Sequence, residues 1–250
     1  LINKYDSLIE STKKLKKSLM HKLLTRGIGH KKFKKLMVIP RFINFSIPDS
    51  WNMMKLHEIS TEIKDGPMGF GLHTYDYVEV GIPVLRIQNL KNLTVTKDRL
   101  RYISKEKHNE LKKSQVKPLD IIISKTGVLG MIGIVPKDYG QANLNQALAR
   151  ITLKDKKIIP YVAAFLSSKI PQQILNVVGS GRTVQSGLKL SDIKNLEIPI
   201  PPLEEQQKIM SALSRTDSYF ENLKSTKTEL QILKQGLMQK LLTGEIRVTV

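Results

Sequence analysis

The stretch from Glu204 to Gly244, EEQQKIMSALSRTDSYFENLKSTKTELQILKQGLMQKLLTG, contains no proline and constrains the chain more than any other segment. Ile209, Ala212, Thr216, Tyr219, Leu223, Thr226, Leu230, Leu233 and Leu237 follow an unbroken 3-4 spacing, which keeps one narrow seam facing a partner helix. Pro201 and Pro202 stop any earlier helix, and Glu204 and Glu205 stand where the positive end of the macrodipole favours carboxylates. Gly244 suits the position just past the end. One long helix of the coiled-coil kind is therefore predicted, marked at both ends.

The same element recurs at the start of the chain. Leu19-Met-His-Lys-Leu-Leu-Thr25 reproduces Leu237-Met-Gln-Lys-Leu-Leu-Thr243. The seam Leu1, Tyr5, Leu8, Thr12, Leu15, Leu19 maps in step onto Tyr219, Leu223, Thr226, Leu230, Leu233, Leu237. Two copies bracketing a long unrelated segment imply a helix pair with a globular domain between its members. Leu8, Leu15, Leu19, Leu223, Leu230, Leu233 and Leu237 are the expected pairing positions.

The boundaries read as a helix over residues 1–28, a basic linker over 29–46, a globular domain over 47–202 and the long helix over 203–245. Gly27 and Gly29 break the first helix, and residues 28–45 show basic residues, Pro40 and little periodicity. A short helix capped by Asp49 or Ser50 is predicted from Met53 to Lys64, with Trp51 anchoring its start. Strands then dominate: alternation over Ile82–Leu90, an apolar run ending at Ser124, a glycine-punctuated hairpin over Lys125–Val135, and another strand up to Leu153. A helix from Pro160 to about Val177 and a polar loop from Gly179 to Gly187 complete the middle. The fold class is α+β: one mixed, strand-rich α/β domain flanked by two long coiled-coil helices. The chain starts without methionine, so a processed product or a fragment of something longer is expected.

A formal charge of +19 favours a polyanionic partner, because each phosphate neutralised releases counterions. The basic residues crowd the first helix and the segment after it, from Lys13 to Lys35. A solvated charged face is the bland alternative, and a membrane surface fits less well, because the narrow seam lacks tryptophan or phenylalanine to insert. No apolar run approaches the ~18 residues of a membrane span, and there is no secretion signal. The absence of cysteine excludes disulfides and thiolate chemistry and fits a reducing compartment, so the protein is read as cytoplasmic.

Catalytic and ligand motifs are weak. His21, His30, His57, His73 and His108 show no zinc-ligand spacing, so no metal site is assigned. Gly69-Phe-Gly71 lacks the third glycine of a dinucleotide site, and Ser124-Lys-Thr-Gly127 reverses the order of a P-loop. Ile200-Pro-Pro-Leu203 shares only its prolines with the tetrapeptide of an adenine-N6 methyltransferase. Pro48-Asp49 followed by Glu62-Ile-Lys64 spells the PD-(D/E)xK nuclease pattern, in which carboxylates hold Mg²⁺, but the predicted helix places those carboxylates poorly. A Mg-dependent nuclease and a coiled-coil scaffold are the competing functions.

The seam helix ending LKQGLMQKLLTGEIRV, its approach Ile198-Pro-Ile-Pro-Pro-Leu-Glu-Glu-Gln-Gln-Lys208, and the phrases GIPVLRIQNL, VKPLDIIISKTG and NLNQALARI resemble the specificity (S, HsdS) subunit of type I restriction-modification systems over nearly the whole chain. The resemblance implies a non-catalytic subunit that reads a bipartite double-stranded DNA site and docks methyltransferase (M) subunits. S-adenosylmethionine, ATP and Mg²⁺ would then belong to M and restriction (R) subunits, with no cofactor in this chain. The family pattern has two target-recognition domains, each followed by a long helix, with the helices pairing antiparallel as a spacer, so the resemblance implies that the two long helices here are antiparallel. This chain has two helices and one such domain, so it looks like the second half of an S subunit or a half-subunit, with the other recognition domain coming from the rest of the chain or from a second copy.

Glycine-flanked loops carrying planar hydrogen-bonding side chains mark the expected DNA-reading surface: Arg86, Gln88, Asn89, Lys125, Thr126, Asn143, Asn145, Gln146, Arg182, Thr183 and Gln185. Arginine suits guanine, and Asn or Gln suits adenine, each bidentate pair being worth about 1–3 kcal/mol of discrimination. Asn143, Asn145 and Gln146 have an equally good use in satisfying turn backbone.

Overall fold

A computed structural model describes residues 1–38, 43–67, 69–180 and 187–246 of the chain. Its elements run α1 (Ile2–Arg26), β1 (Phe33–Val38), β2 (Ile43–Pro48), β3 (Asn52–Lys55), β4 (Ser60–Asp65), β5 (Tyr77–Val78), β6 (Ile82–Leu85), β7 (Leu90–Lys91), β8 (Leu93–Val95) and β9 (Arg101–Ile103). They continue with α2 (Lys105–Glu110), β10 (Ile121–Ser124), β11 (Ile132–Ile134), β12 (Asn143–Leu144), β13 (Leu148–Leu153), α3 (Ile159–Leu166), α4 (Lys169–Ser180), α5 (Leu190–Lys194), β14 (Glu197–Ile200) and α6 (Leu203–Leu242). The α+β class and the flanking long helices are as the sequence indicates.

Among the described residues the strands form four sheets, ordered β4-β13-β10-β11-β8-β7, β12-β6-β9-β5, β14-β3 and β1-β2. Pairing is antiparallel except between β11 and β8 and between β12 and β6. The central strand β10 is buried on both faces, as its continuous isoleucines require. Ile121 and Ile123 join Ala149, Ile151 and the apolar helix α3 in the main core, while Ile122 joins Leu85, Leu144 and Leu148 in a second core. Each fully buried isoleucine contributes about 1.5–3 kcal/mol.

Two stretches depart from expectation. Residues 33–38 and 43–46, read as linker, lie in strands: β1 (33–38) pairs antiparallel with β2 (43–48). The predicted helix from Met53 to Lys64 is instead two strands, β3 on β14 and β4 on β13, because Met53, Met54 and Ile63 find their partners on distant strands. Trp51 is fully buried at that point, as its anchoring role requires.

Helix α6 runs uninterrupted for 40 residues, about 60 Å, with Glu204 and Glu205 in its first turn. Ion pairs Lys16–Asp217 and Lys227–Asp6, both 2.5 Å, show that α1 lies antiparallel along it. The less accessible residues recur at Ile2, Tyr5, Ile9, Thr12, Lys16, Leu19 and Leu23 on α1, and at Ile209, Leu213, Thr216, Phe220, Leu223, Lys227 and Leu230 on α6. This 3-4 seam keeps Leu19, Leu223 and Leu230 from the predicted set, and on α6 the predicted seam residues Ala212 and Thr226 are partly covered as well; on α1 it is rotated by one flank. Leu8 and Leu15 are 41% and 59% exposed on the flank adjacent to Ile9 and Lys16. Leu233 and Leu237 are also exposed; they line a shallow groove of about 490 Å³ with Leu1 and Ile2, where α1 begins. The partner helix and its ion pairs chose the flank. Buried Thr12 is satisfied by donating to the Leu8 carbonyl at 2.8 Å.

At its other end α1 docks on the domain through Leu23 and fully buried Leu24. Gly27 ends the helix at φ +62, and a Cβ there would lie 2.3 Å from Glu205 Oε1 and 2.6 Å from Trp51 Cζ2, so only glycine fits. Glu205 gathers the junction. It accepts from Trp51 Nε1 at 3.0 Å and from the Ile28 N–H at 3.0 Å, and it pairs with His30 Nε2 at 2.8 Å.

Candidate nucleic-acid interface

Strand direction collects the predicted loops at one end of the domain. Strands β6 and β12 run parallel, so Arg86 and Asn145 leave their strands on the same side, with the Asn145 N–H donating to the Leu85 carbonyl at 3.0 Å. Strand β10 ends beside the start of β13, placing Lys125 there too, and its N–H reaches the Ala147 carbonyl at 2.7 Å. Gly187 packs against Lys125 and Thr126, so the far end of the polar loop returns to the same place. Arg182, Thr183 and Gln185 lie outside the described residues.

Between the Ile87–Lys91 turn and the 125–131 hairpin loop opens a cleft of about 710 Å³. Ile87, Leu90, Val128 and Met131 supply apolar walls, and Gln88, Lys91, Asp98 and Arg99 a polar rim. Gln88 and Thr126 are exposed beside it. Lys125 is largely covered and paired with Asp65 at 2.6 Å, so its charge is locally balanced.

Two predicted readers point inward. Asn89 is fully buried; it accepts from the Arg86 N–H at 2.9 Å and donates to the Asp98 carbonyl at 2.7 Å. Asn143 is also fully buried, bonded to His108, to Ser114 Oγ at 3.1 Å and to the Leu111 carbonyl at 3.2 Å. Their amides hold turns, the alternative use of such residues in loops, and neither faces solvent. Asn145 accepts from the Ala147 N–H at 3.2 Å, and exposed Gln146 donates to the Leu72 carbonyl. Arg86 and Gln88 both donate to the Arg99 carbonyl, at 2.5 and 3.0 Å.

The carboxylates of the nuclease pattern are occupied otherwise. Glu62, on β4, accepts from Arg150 Nη2 at 2.8 Å, a hydrogen bond that with the guanidinium charge holds its carboxyl below the usual range. Arg150 also donates to Thr152 Oγ1 at 2.9 Å, which in turn donates to buried Asp120 at 2.5 Å; burial pushes the Asp120 carboxyl up. Asp49 sits in the turn between β2 and β3, where Lys34 Nζ meets its carbonyl at 3.1 Å. Among the described residues no group of three or more His, Cys, Asp or Glu side chains could hold a metal ion, and no helix is long and apolar enough to cross a membrane.

Residues 48–232 match the family described as the type I restriction modification DNA specificity domain. The chain belongs to this family. The type I restriction enzyme EcoBI specificity subunit of Escherichia coli is 30% identical over 206 residues, covering 80% of this chain and 43% of that protein. The MjaVIII specificity subunit of Methanocaldococcus jannaschii is 28% identical over 254 residues, covering 99% of this chain and 57% of that protein. The HsdS subunit of Thermoanaerobacter tengcongensis shares the fold with a TM-score of 0.60 at 18% identity, over 98% of this chain and 54% of that one. A chain from a structure of complex assembly and conformational transition of the type I R-M system has a TM-score of 0.64 at 18% identity, over 95% and 53%. The chain thus spans about half the length of the specificity subunits it matches.

What the sequence reading passed over in this specificity domain is the Thr96–Leu100 loop. Its signal was faint: Lys97-Asp-Arg99 is one short charged run in a chain rich in them. Its carbonyls serve as acceptors for several neighbours, a property that emerges only once the strands on either side are in place.

Proposed function

We propose that this chain is a non-catalytic, sequence-specific DNA-recognition half of a type I restriction-modification complex in the cytoplasm, reading one half of a bipartite double-stranded site. Family membership carries this reading, and the convergence of polar loops around one cleft supports it. DNA contact is assigned to Lys125, Thr126, Asn145, Gln146, Arg182, Thr183 and Gln185; Arg86 and Gln88, bonded to the Arg99 carbonyl, and buried Asn89 and Asn143 act as supports. Methyltransferase subunits dock on the chain, and a further restriction subunit joins the complex. S-adenosylmethionine, ATP and Mg²⁺ serve those partners.

The helix pair acts as a ruler, since about 60 Å of α6 is long enough to hold two DNA-reading domains apart along a duplex. A second recognition domain, from the rest of a longer chain or a second copy, completes the bipartite reader. The exposed Leu233, Leu237 and Leu241 beyond the paired part of α6 suit such an apolar partner. A homodimer would read an inverted repeat. The test is co-purification with a methyltransferase subunit followed by mapping of methylated adenines. A bipartite methylated motif that vanishes without this chain is expected; methylation independent of it, or Mg²⁺-dependent cleavage by the chain alone, would refute the reading.

A further inference from the structure

The Thr96–Leu100 loop is held unusually firmly for a surface turn. The Thr96 N–H donates to the Asn89 carbonyl at 2.8 Å, and the Thr96 carbonyl accepts from Tyr139 Oη at 3.1 Å. The Asp98 carbonyl accepts from Asn89 Nδ2, and the Asp98 carboxylate pairs with Lys91 at 2.6 Å, which with the Arg99 charge holds that carboxyl below its usual range. The Arg99 carbonyl takes both Arg86 Nη2 and Gln88 Nε2. The peptide units are thus tied from below.

Arg99 itself is exposed and lines the rim of the 710 Å³ cleft, and its guanidinium has no hydrogen bond or salt bridge among the described residues. Its backbone sits at φ +46, a conformation that glycine or asparagine adopts more easily and that a bulky residue holds only at a cost. A strained backbone, a pre-set loop and a free planar donor fork facing a cleft are the conditions for presenting one side chain in a fixed direction. A guanidinium so presented matches the O6 and N7 acceptors of guanine in the major groove.

Resting on the DNA-recognition reading above, we propose that Arg99 reads a guanine in the half-site, and that Arg86 and Gln88 are positioning residues that fix the Arg99 backbone and touch no base themselves. Each of these two side chains, expected from the sequence to be a reader, gives a donor to the same carbonyl.

The experiment is selection of binding sites from a random duplex library by the full chain assembled with its methyltransferase subunit. Wild type is expected to enrich guanine at one half-site position. Arg99→Gly, which suits the left-handed backbone and so keeps the fold, should lose that preference by about tenfold, with other positions unchanged. Arg99→Lys should lose it equally while keeping the salt dependence of binding, because charge remains and the two-pronged geometry is gone. Arg86→Ala should weaken the same position alone, and Arg86→Lys, still able to donate to the carbonyl, should restore it. If Arg99→Lys keeps the wild-type preference, or Arg99→Gly weakens all positions evenly, Arg99 is a phosphate contact and the inference is overturned. If both variants match wild type at every position, it is overturned while DNA reading stands. If wild type enriches nothing, the recognition reading fails and this one with it.

Discussion

Replacing Glu205 by alanine removes the single carboxylate that joins the end of α1, the entrance of the domain and the first turn of α6. Trp51 is fully buried, so its indole N–H, now 3.0 Å from Glu205 Oε2, would be left without a partner. Losing a charge-assisted bond to a buried donor costs about 1.5–3 kcal/mol. The Ile28 N–H lies on an exposed residue and recovers a bond to water, so it adds little. The pair with partly exposed His30 adds about 0.2–1 kcal/mol, and the lost carboxylate in the first turn of α6 about 0.3–1 kcal/mol. The total is about 2–5 kcal/mol, or about 4–20 °C in Tm for a chain of this size. The assay is denaturant unfolding of Glu205→Ala, Trp51→Phe and the double variant. Trp51→Phe keeps most of the ring and deletes the N–H, so the cycle isolates that bond, and a coupling of about 1.5–3 kcal/mol is expected. A coupling within about 0.5 kcal/mol of zero would show that the indole hydrogen bond does not secure the junction.

The helix pair makes a contrasting prediction at two leucines of one helix: Leu24→Ala should cost about 2–5 kcal/mol of unfolding free energy and Leu15→Ala less than about 0.5 kcal/mol, because Leu24 is fully buried and Leu15 is 59% exposed. Gly66→Ala should cost more than about 2 kcal/mol, since its Cβ would fall 1.9 Å from the Asn145 carbonyl oxygen, and hydrogen exchange should show the 145–147 turn opening with it. For Glu62, a carboxyl held below its ordinary value of 4.5 in the folded chain stabilises above that value, and the contribution is lost as pH falls through the lower folded value. Acid titration of stability should therefore be shallower in Glu62→Gln than in wild type below about pH 5. Asp120, whose carboxyl is pushed up by burial, acts in the opposite sense and shares Arg150 with Glu62, so the comparison is made in an Asp120→Asn background that removes its titration from both proteins. Equal slopes would show that Arg150 does not hold the Glu62 charge.

The sequence by itself determined the long helices, their repeat and their place on either side of a strand-rich domain; that they run antiparallel was implied by the resemblance and is seen in the Lys16–Asp217 and Lys227–Asp6 pairs. Periodicity, the Pro201-Pro202 stop, the first-turn glutamates and the glycines after each helix are local signals, and local signals act wherever the chain goes. Tertiary structure decided which flank of the seam is covered. Leu8 with Leu15 and Ile9 with Lys16 sit on adjacent flanks that a 3-4 pattern nearly shares, and only the register against Asp217 and Lys227 separates them. It also decided that residues 52–65 pair as strands, since their partners β14 and β13 lie far along the chain. At the candidate interface the residue types were legible and their directions were not. An asparagine offers the same donors and acceptors to a base edge as to a turn carbonyl, and what chose for Asn89 and Asn143 was burial created by segments distant in sequence.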